Sequence, residues 1–262
     1  MIHIVDVTEE NVEAKGFFCM RSKPKSQGYQ NKLAWLKKRL REGLKLKILE
    51  ENGVPKGFIE YAPSERNWRG ITGSGYLVIH CLWIVGRGKG KGYGSRLLNL
   101  CLDDAKSHNK SGVAMVTSSQ TWLADKSFFM QYGFESIDQA PPSFELIVKR
   151  LNRDDPVPHF NHGWEERMSQ YQDGITIIKA DQCPYFEDAV NTITEAANER
   201  EIQVNIITMQ DPIEAQNAPS AYGVFNVIYN GQLVTYHPLT KREFIKKLDK
   251  LEKQQQQQRQ EQ

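Results

Sequence analysis

Tyr76-Leu77-Val78-Ile79-His80-Cys81-Leu82-Trp83-Ile84-Val85, followed by Lys89-Gly90-Lys91-Gly92-Tyr93-Gly94 and then by Leu97, Leu98, Cys101, Leu102 and Ala105, is the stretch on which the fold turns. A long and almost wholly apolar run is what a central strand buried on both faces requires. The apolar positions after the glycines recur at i, i+1, i+4, i+5 and i+8, the stripe of a helix lying on a sheet. Strand, glycine turn and helix therefore follow one another. The first turn of a helix leaves backbone N–H donors unpaired at a partially positive end, and glycines let those donors approach a phosphate closely. The turn predicts an anion site. Its spacing contains neither G-x-x-x-x-G-K-[ST] nor G-x-G-x-x-G, which removes the main support for nucleotide hydrolysis and hydride transfer.

Working outward, residues 2–7 read as a strand, 11–20 and 31–41 as helices, and 44–50 and 57–61 as strands joined through Asn52-Gly53, a preferred hairpin pair. At 262 residues the chain exceeds the usual ~100–200 of one compact domain, so two domains are expected. The break falls at Asp154-Asp155-Pro156-Val157-Pro158-His159, after the strand-like Phe144-Glu145-Leu146-Ile147-Val148. Apolar content of 39% with 25% charge is that of a globular protein, and a net charge of +2 argues against nucleic acid or an anionic membrane as partner. The start of the chain lacks the basic and apolar regions of a signal peptide, and no apolar run nears ~20 residues, so a cytoplasmic location is expected. Cys19, Cys81, Cys101 and Cys183 show no C-x-x-C pairing, so neither a metal site nor a disulfide framework is expected.

Gly92 and Gly94 fit the pattern [QR]-x-x-G-x-[GA], with Lys89 in place of the usual Gln or Arg, and Asp125 to Phe134 is similar to an F-Y-x-x-x-G-F helix and turn. On these two motifs the first 150 residues or so resemble the GNAT N-acetyltransferases. The resemblance implies an α/β acyl-CoA N-acyltransferase fold, a mixed central sheet flanked by helices, with acetyl-CoA as cosubstrate. It assigns pantetheine contacts to the backbone of Leu82, Trp83 and Ile84, and pyrophosphate contacts to Lys89, Gly90, Lys91, Gly92, Tyr93, Gly94 and Ser95; Thr121 and Phe129 complete the cofactor side. The implied reaction is attack of an amine on the thioester. His80 is the leading candidate general base, since an imidazole titrates near neutrality, with a buried, hydrogen-bonded core histidine as the alternative reading. Glu60 is the second, a carboxylate in an otherwise apolar strand. Phe129 stands where a tyrosine commonly protonates the leaving thiolate and has no proton to give, which leaves Tyr132 as the candidate acid. A thiol pKa of about 8.5 also permits departure without an acid.

The second part begins with a strand over 174–178, and Asp181-Gln182-Cys183-Pro184-Tyr185-Phe186 then opens a helix striped by Phe186, Ala189, Val190, Ile193, Ala196 and Ala197. A strand at 204–207, a hairpin turning at Asn230-Gly231 and a helix over 241–251 complete an order that resembles the thioredoxin and glutaredoxin folds. Cys183, at a helix N-terminus, is a candidate reactive thiol. Yet Phe186 occupies the second cysteine's place and Gly223 that of the cis-proline, so the resemblance implies a degenerate binding domain rather than an oxidoreductase. Gly57 to Pro63, Val78-Ile79-His80-Cys81 and Gln182-Cys183-Pro184-Tyr185 make the whole chain similar to the YoaP-like acetyltransferases. The expected organisation is a GNAT domain at 1–151, a linker at 152–173, a thioredoxin-like α/β domain at 174–252 and a Gln-rich tail at 253–262. The expected activity is N-acetylation of an unidentified amine, a small molecule or a peptide. A thiol-redox protein using Cys183 and an acyl-CoA sensor without turnover stand as alternatives.

Overall fold

The computed structural model describes residues 1–119 and 122–260. The first part runs β1 (Ile2–Val7), α1 (Val12–Lys15), α2 (Gln27–Arg41), β2 (Lys45–Glu51), β3 (Val54–Pro63), β4 (Ile71–Thr72), β5 (Tyr76–Ile84), α3 (Tyr93–Ser107), β6 (Gly112–Ser118), α4 (Lys126–Met130), β7 (Glu135–Ala140) and β8 (Phe144–Arg150). The rest runs β9 (His159–Phe160), α5 (Trp164–Met168), β10 (Ile175–Lys179), α6 (Tyr185–Asn198), β11 (Val204–Thr208), α7 (Pro212–Gln216), β12 (Phe225–Tyr229), β13 (Gln232–Thr235) and α8 (Lys241–Gln260). No helix among the described residues is long and apolar enough to cross a membrane.

A mixed seven-stranded sheet has the order β1-β2-β3-β5-β6-β8-β7. Its one parallel pair, β5 with β6, follows from α3, because parallel neighbours need a crossover long enough to carry a helix. Leu97, Leu98, Cys101 and Ala105 of α3 are fully buried on one face against Ile59, Ile79 and Met115. The other face packs α2 through Leu36, and its apolar core continues through Trp68 into Ile177, Phe186 and Phe225 of the second part. The second sheet has the order β11-β10-β12-β13, with β10 and β11 parallel around α6 and the remaining pairs antiparallel.

One expectation is corrected. The helix expected over 11–20 stops at Lys15, because Gly16 turns to φ 68°, and residues 17–20 run on as a loop. The expected linker is a packed strap: β9 pairs with β4, Phe160 and Trp164 are buried, and the Arg167 guanidinium donates to the carbonyls of Asn161, His162 and Ala218. Such a guanidinium closes backbone acceptors that a loop would otherwise leave open. Direct bonds add to the strap: the Gly70 N–H donates to Ala221 O at 3.1 Å and Gln216 Nε2 to Asn67 O at 3.1 Å.

The two parts come close together at Gly28 of α2, where an added Cβ would lie 2.1 Å from the Pro184 carbonyl oxygen. Backbone stands on both sides, so Gly28→Ala must push α2 and the start of α6 apart. Overpacking of this kind costs about 1–3 kcal/mol, and for a chain of this size the thermal midpoint falls by several degrees. Differential scanning calorimetry checks this; an unchanged midpoint would exclude the close approach.

Candidate functional site

The sheet opens where the glycine turn begins. β5 pairs with β6 only from Tyr76 to Ile79, while β6 continues to Ser118 in register with β8. The β3–β5 ladder slips at the same level: Glu60 faces Cys81 and Tyr61 faces Ile79, which leaves His80 as an extra residue. An inserted residue of this kind bends its strand and re-aims a side chain. Beyond it, β6 offers no partners to the backbone of Leu82, Trp83 and Ile84, and an extended ligand has strand edges to pair with. Trp83 is 47% exposed beside that opening.

Gly92 is the N-cap of α3, held at φ 75° with open space where a Cβ would project. A left-handed N-cap of that kind strains any other residue. Among the described residues no side chain caps the helix, its first turn has no acidic residue, and the first backbone bond is made by Arg96 N–H to Gly92 O at 3.0 Å. The residues therefore fit a bound pyrophosphate: unspent N–H donors at a positive helix end. The lysines divide. Lys91 Nζ is tied to Glu51 at 3.1 and 3.2 Å, with the Tyr93 hydroxyl donating to the same carboxylate at 2.6 Å. Lys89 instead lies beside Trp83, its Nζ 6.0 Å from the ring centre.

Below the opening lies a cavity of about 530 Å³ between the first sheet and the start of α6. Its apolar wall includes Phe17, Phe18, Phe58, Trp122, Tyr185 and Tyr222, and Leu82 and Trp83 border it on the β5 side. Its polar end gathers Lys32, Glu60, Arg69, His80 and Gln182. Glu60 is 2% exposed. Lys32 Nζ reaches one of its oxygens at 2.5 Å and Gln182 Nε2 donates to the other at 2.7 Å. Burial alone would raise its pKa; the Lys32 charge and the His80 ring outweigh that and hold it at about 2. The carboxylate is ionised.

His80 departs from its expected role. Its Nε2 accepts the Trp68 N–H at 3.0 Å, and its Nδ1 lies 3.6 Å from Glu60, beyond hydrogen-bond length. That pairing puts the proton of the neutral ring on Nδ1 and leaves no lone pair for an amine. Burial, the largest influence, depresses its pKa to about 4. Arg69 fixes this corner by donating to Trp68 O at 2.9 Å, His80 O at 2.6 Å and Gln182 Oε1 at 2.9 Å, with its guanidinium 4.7 Å from the Tyr222 ring centre.

The remaining candidates fall outside the cavity or lose their expected chemistry. Phe129 is fully buried between Phe128 and Phe134, with ring centres 5.1 and 5.5 Å away, so its side chain belongs to the core rather than the cofactor face. Thr121 lies outside the described residues. The Tyr132 hydroxyl donates to Ser95 Oγ in the first turn of α3 and is not in the cavity wall. Cys183 lines the cavity, but burial pushes its thiol up to about 12, outweighing the Tyr185 N–H that favours the thiolate. The expected helix-end activation is overturned by desolvation. No cluster of metal ligands occurs among the described residues.

Sequence reasoning missed Lys32, Arg69 and Gln182. Lys32 carried a signal: with Tyr29 and Leu36 it occupies one buried face of α2, where a lysine needs a partner. Arg69 and Gln182 lie on connections with no periodicity to single them out.

The family model described as Acetyltransferase (GNAT) family matches residues 5–134, and that described as YoaP-like matches 203–250. The uncharacterized N-acetyltransferase YoaP of Bacillus subtilis (strain 168) is 32% identical over 250 residues, 94% of this chain and 98% of its own length. The L-methionine sulfoximine/L-methionine sulfone acetyltransferase of Salmonella typhimurium is 32% identical over 111 residues, 42% of this chain and 62% of that enzyme. Among solved structures, yncA from Salmonella typhimurium with its cofactor acetyl-CoA aligns over 58% of this chain and 95% of its own, at a TM-score of 0.43 and 19% identity. The likeness to the Bacillus protein runs nearly end to end, through both the opened sheet and the part that closes the cavity: the chain belongs to the YoaP-like GNAT acetyltransferases and is an N-acetyltransferase.

Proposed function

We propose that the chain transfers the acetyl group of acetyl-CoA to a small-molecule amine by direct attack in the cavity beside Glu60. The observation that carries this reading is an uncapped helix end, an opened strand pair and a cavity of about 530 Å³ whose polar end holds a buried, ionised carboxylate. A cavity of that volume suits a small molecule, and the Salmonella relative's name gives it a small amino compound as substrate. Glu60 replaces His80 as the group that meets the amine. An ionised carboxylate has about four acceptor positions. Lys32 and Gln182 take two, and the others receive the amine's N–H groups and stabilise the positive charge that develops on nitrogen. His80 holds the bulge in shape. Backbone N–H groups of β5 beyond the bulge polarise the thioester carbonyl, and the CoA thiolate leaves without a dedicated acid, Tyr132 being tied to Ser95; the proton shed by the attacking nitrogen passes to the departing thiolate, giving the amide and CoA thiol.

The second part is a degenerate thioredoxin-like domain that walls the acceptor cavity. Its parallel pair around α6 followed by an antiparallel hairpin supports the likeness, and Gln182, Cys183, Tyr185 and Tyr222 supply its share of the wall. The neutral thiol of Cys183 argues against redox chemistry. Acetyl-CoA as donor is consistent with work in the cytoplasm.

Release of CoA thiol from acetyl-CoA, followed over a panel of amines, tests this reading. With His80 neutral above a pKa of about 4, kcat/KM should climb about tenfold per pH unit through neutrality and level off only at the amine's own pKa. A limb levelling near 6.5 would restore His80 as the base. Tight CoA binding without release with any amine would favour a sensor.

A further inference from the structure

The charged groups in the cavity wall do not balance. Lys32, Arg69 and Glu60 are its only ionised side chains among the described residues, and all three are buried, at 4%, 2% and 2% exposure. His80 is neutral, and burial holds the thiols of Cys19, Cys81 and Cys183 in their protonated form. One positive charge is left over among side chains that are themselves buried at the cavity's polar end. An unpaired buried charge is costly and is retained where something bound compensates it. Neither reactant of the proposed transfer does so: the thioester end of acetyl-CoA is neutral, and the amine must be neutral when it attacks.

From this surplus, and resting on the acetyl-transfer reading above, we infer that the acceptor carries a carboxylate beside its amine, as an α-amino acid with an apolar side chain does. Lys32 is the residue that meets the carboxylate. An ammonium has three donors; the structure spends one on Glu60 and sets the group over the Trp35 ring, 4.5 Å from its centre, which still leaves a donor for an anion. Arg69 has its guanidinium committed to Trp68 O, His80 O and Gln182 Oε1, so it acts on the ligand mainly as a nearby charge. Lys32 and Glu60 stand in contact at 2.5 Å and so form adjoining docking points for an anion and an amine. That juxtaposition matches the carboxylate and the neutral amine of an amino acid poised to react. Phe17, Phe18, Phe58 and Tyr222 line the space left for the side chain.

Matched pairs that differ only in the carboxylate test this on the full chain: L-phenylalanine with 2-phenylethylamine, L-leucine with 3-methylbutylamine, L-methionine with 3-(methylthio)propylamine. CoA release is compared at equal concentrations of neutral amine, and binding to the CoA-loaded protein is measured by calorimetry. The amino acid of each pair should exceed its amine in kcat/KM by at least about tenfold, the size of one charge-assisted hydrogen bond. Lys32→Gln, checked for native circular dichroism, should shrink that ratio mainly through KM. Amines that match or exceed the amino acids overturn the inference and leave acetyl transfer standing. Amino acids that bind in preference to the amines with no CoA release support the inference and overturn the transfer reading. Absence of both binding and release across every pair overturns both.

Discussion

Gly92→Asp raises the KM for acetyl-CoA by about 100-fold or more while the protein stays folded. The folded state tolerates the change because aspartate, though strained there, is among the few residues that adopt the left-handed conformation Gly92 holds at φ 75°, and open space lies where its side chain would project. Its carboxylate bonds the N–H groups at the start of α3 that a pyrophosphate needs, and adds a negative charge where the helix end would attract one. Losing two charge-assisted hydrogen bonds at about 1.5–3 kcal/mol each amounts to between two and four powers of ten in affinity. Gly92→Ala separates the two contributions: it carries the backbone strain without the charge and should weaken acetyl-CoA only a few-fold. Calorimetric titration with CoA and steady-state kinetics measure both variants. A wild-type KM in a folded Gly92→Asp protein would remove the helix end from the cofactor site.

What the residues reveal depends on how locally each feature is determined. The strand, turn and helix from Tyr76 to Ala105 were legible because their pattern is set within each element: an apolar run, glycines, then a helical stripe. The bulge at His80 was not, because it exists only in the register between β5 and β3. That single slipped residue turns the imidazole toward the Trp68 N–H and replaces a candidate base with a structural acceptor. Cys183 fails for a similar reason: its helix position is written in sequence, but the burial that governs its pKa comes from the other part of the chain. Gln182 reaches Glu60 across 122 residues of sequence, and although each lies in a stretch that carries the resemblance, neither stretch says that the two side chains meet. The Asp211-Pro212 pair opening α7 was a readable signal that went unused, since Asp211 caps the helix with Glu214 completing a capping box and Pro212 fits the first turn.

Glu60→Gln should lower kcat/KM by at least about 100-fold, because a neutral amide no longer offsets the charge that develops on the attacking nitrogen. The same change leaves Lys32 buried without a counter-charge, a loss of about 3–5 kcal/mol in stability. Activity and stability would then fall together, and the activity loss alone would not separate chemistry from unfolding. The double variant Glu60→Gln with Lys32→Met, assayed with an amine that has no carboxylate so that the loss of Lys32 removes no acceptor contact, resolves this, since replacing both members of a buried pair is often close to neutral. Urea unfolding should therefore recover most of the lost stability in the double variant while kcat/KM stays low. Acid unfolding provides a second readout. With a folded pKa of about 2 against about 4.3 unfolded, Glu60 contributes stability that is complete above pH 4.3 and lost as pH falls toward 2. Both variants should lack that contribution. A double variant that regains wild-type kcat/KM would show that Glu60 serves the fold alone, and the amine would then meet some other group in the cavity.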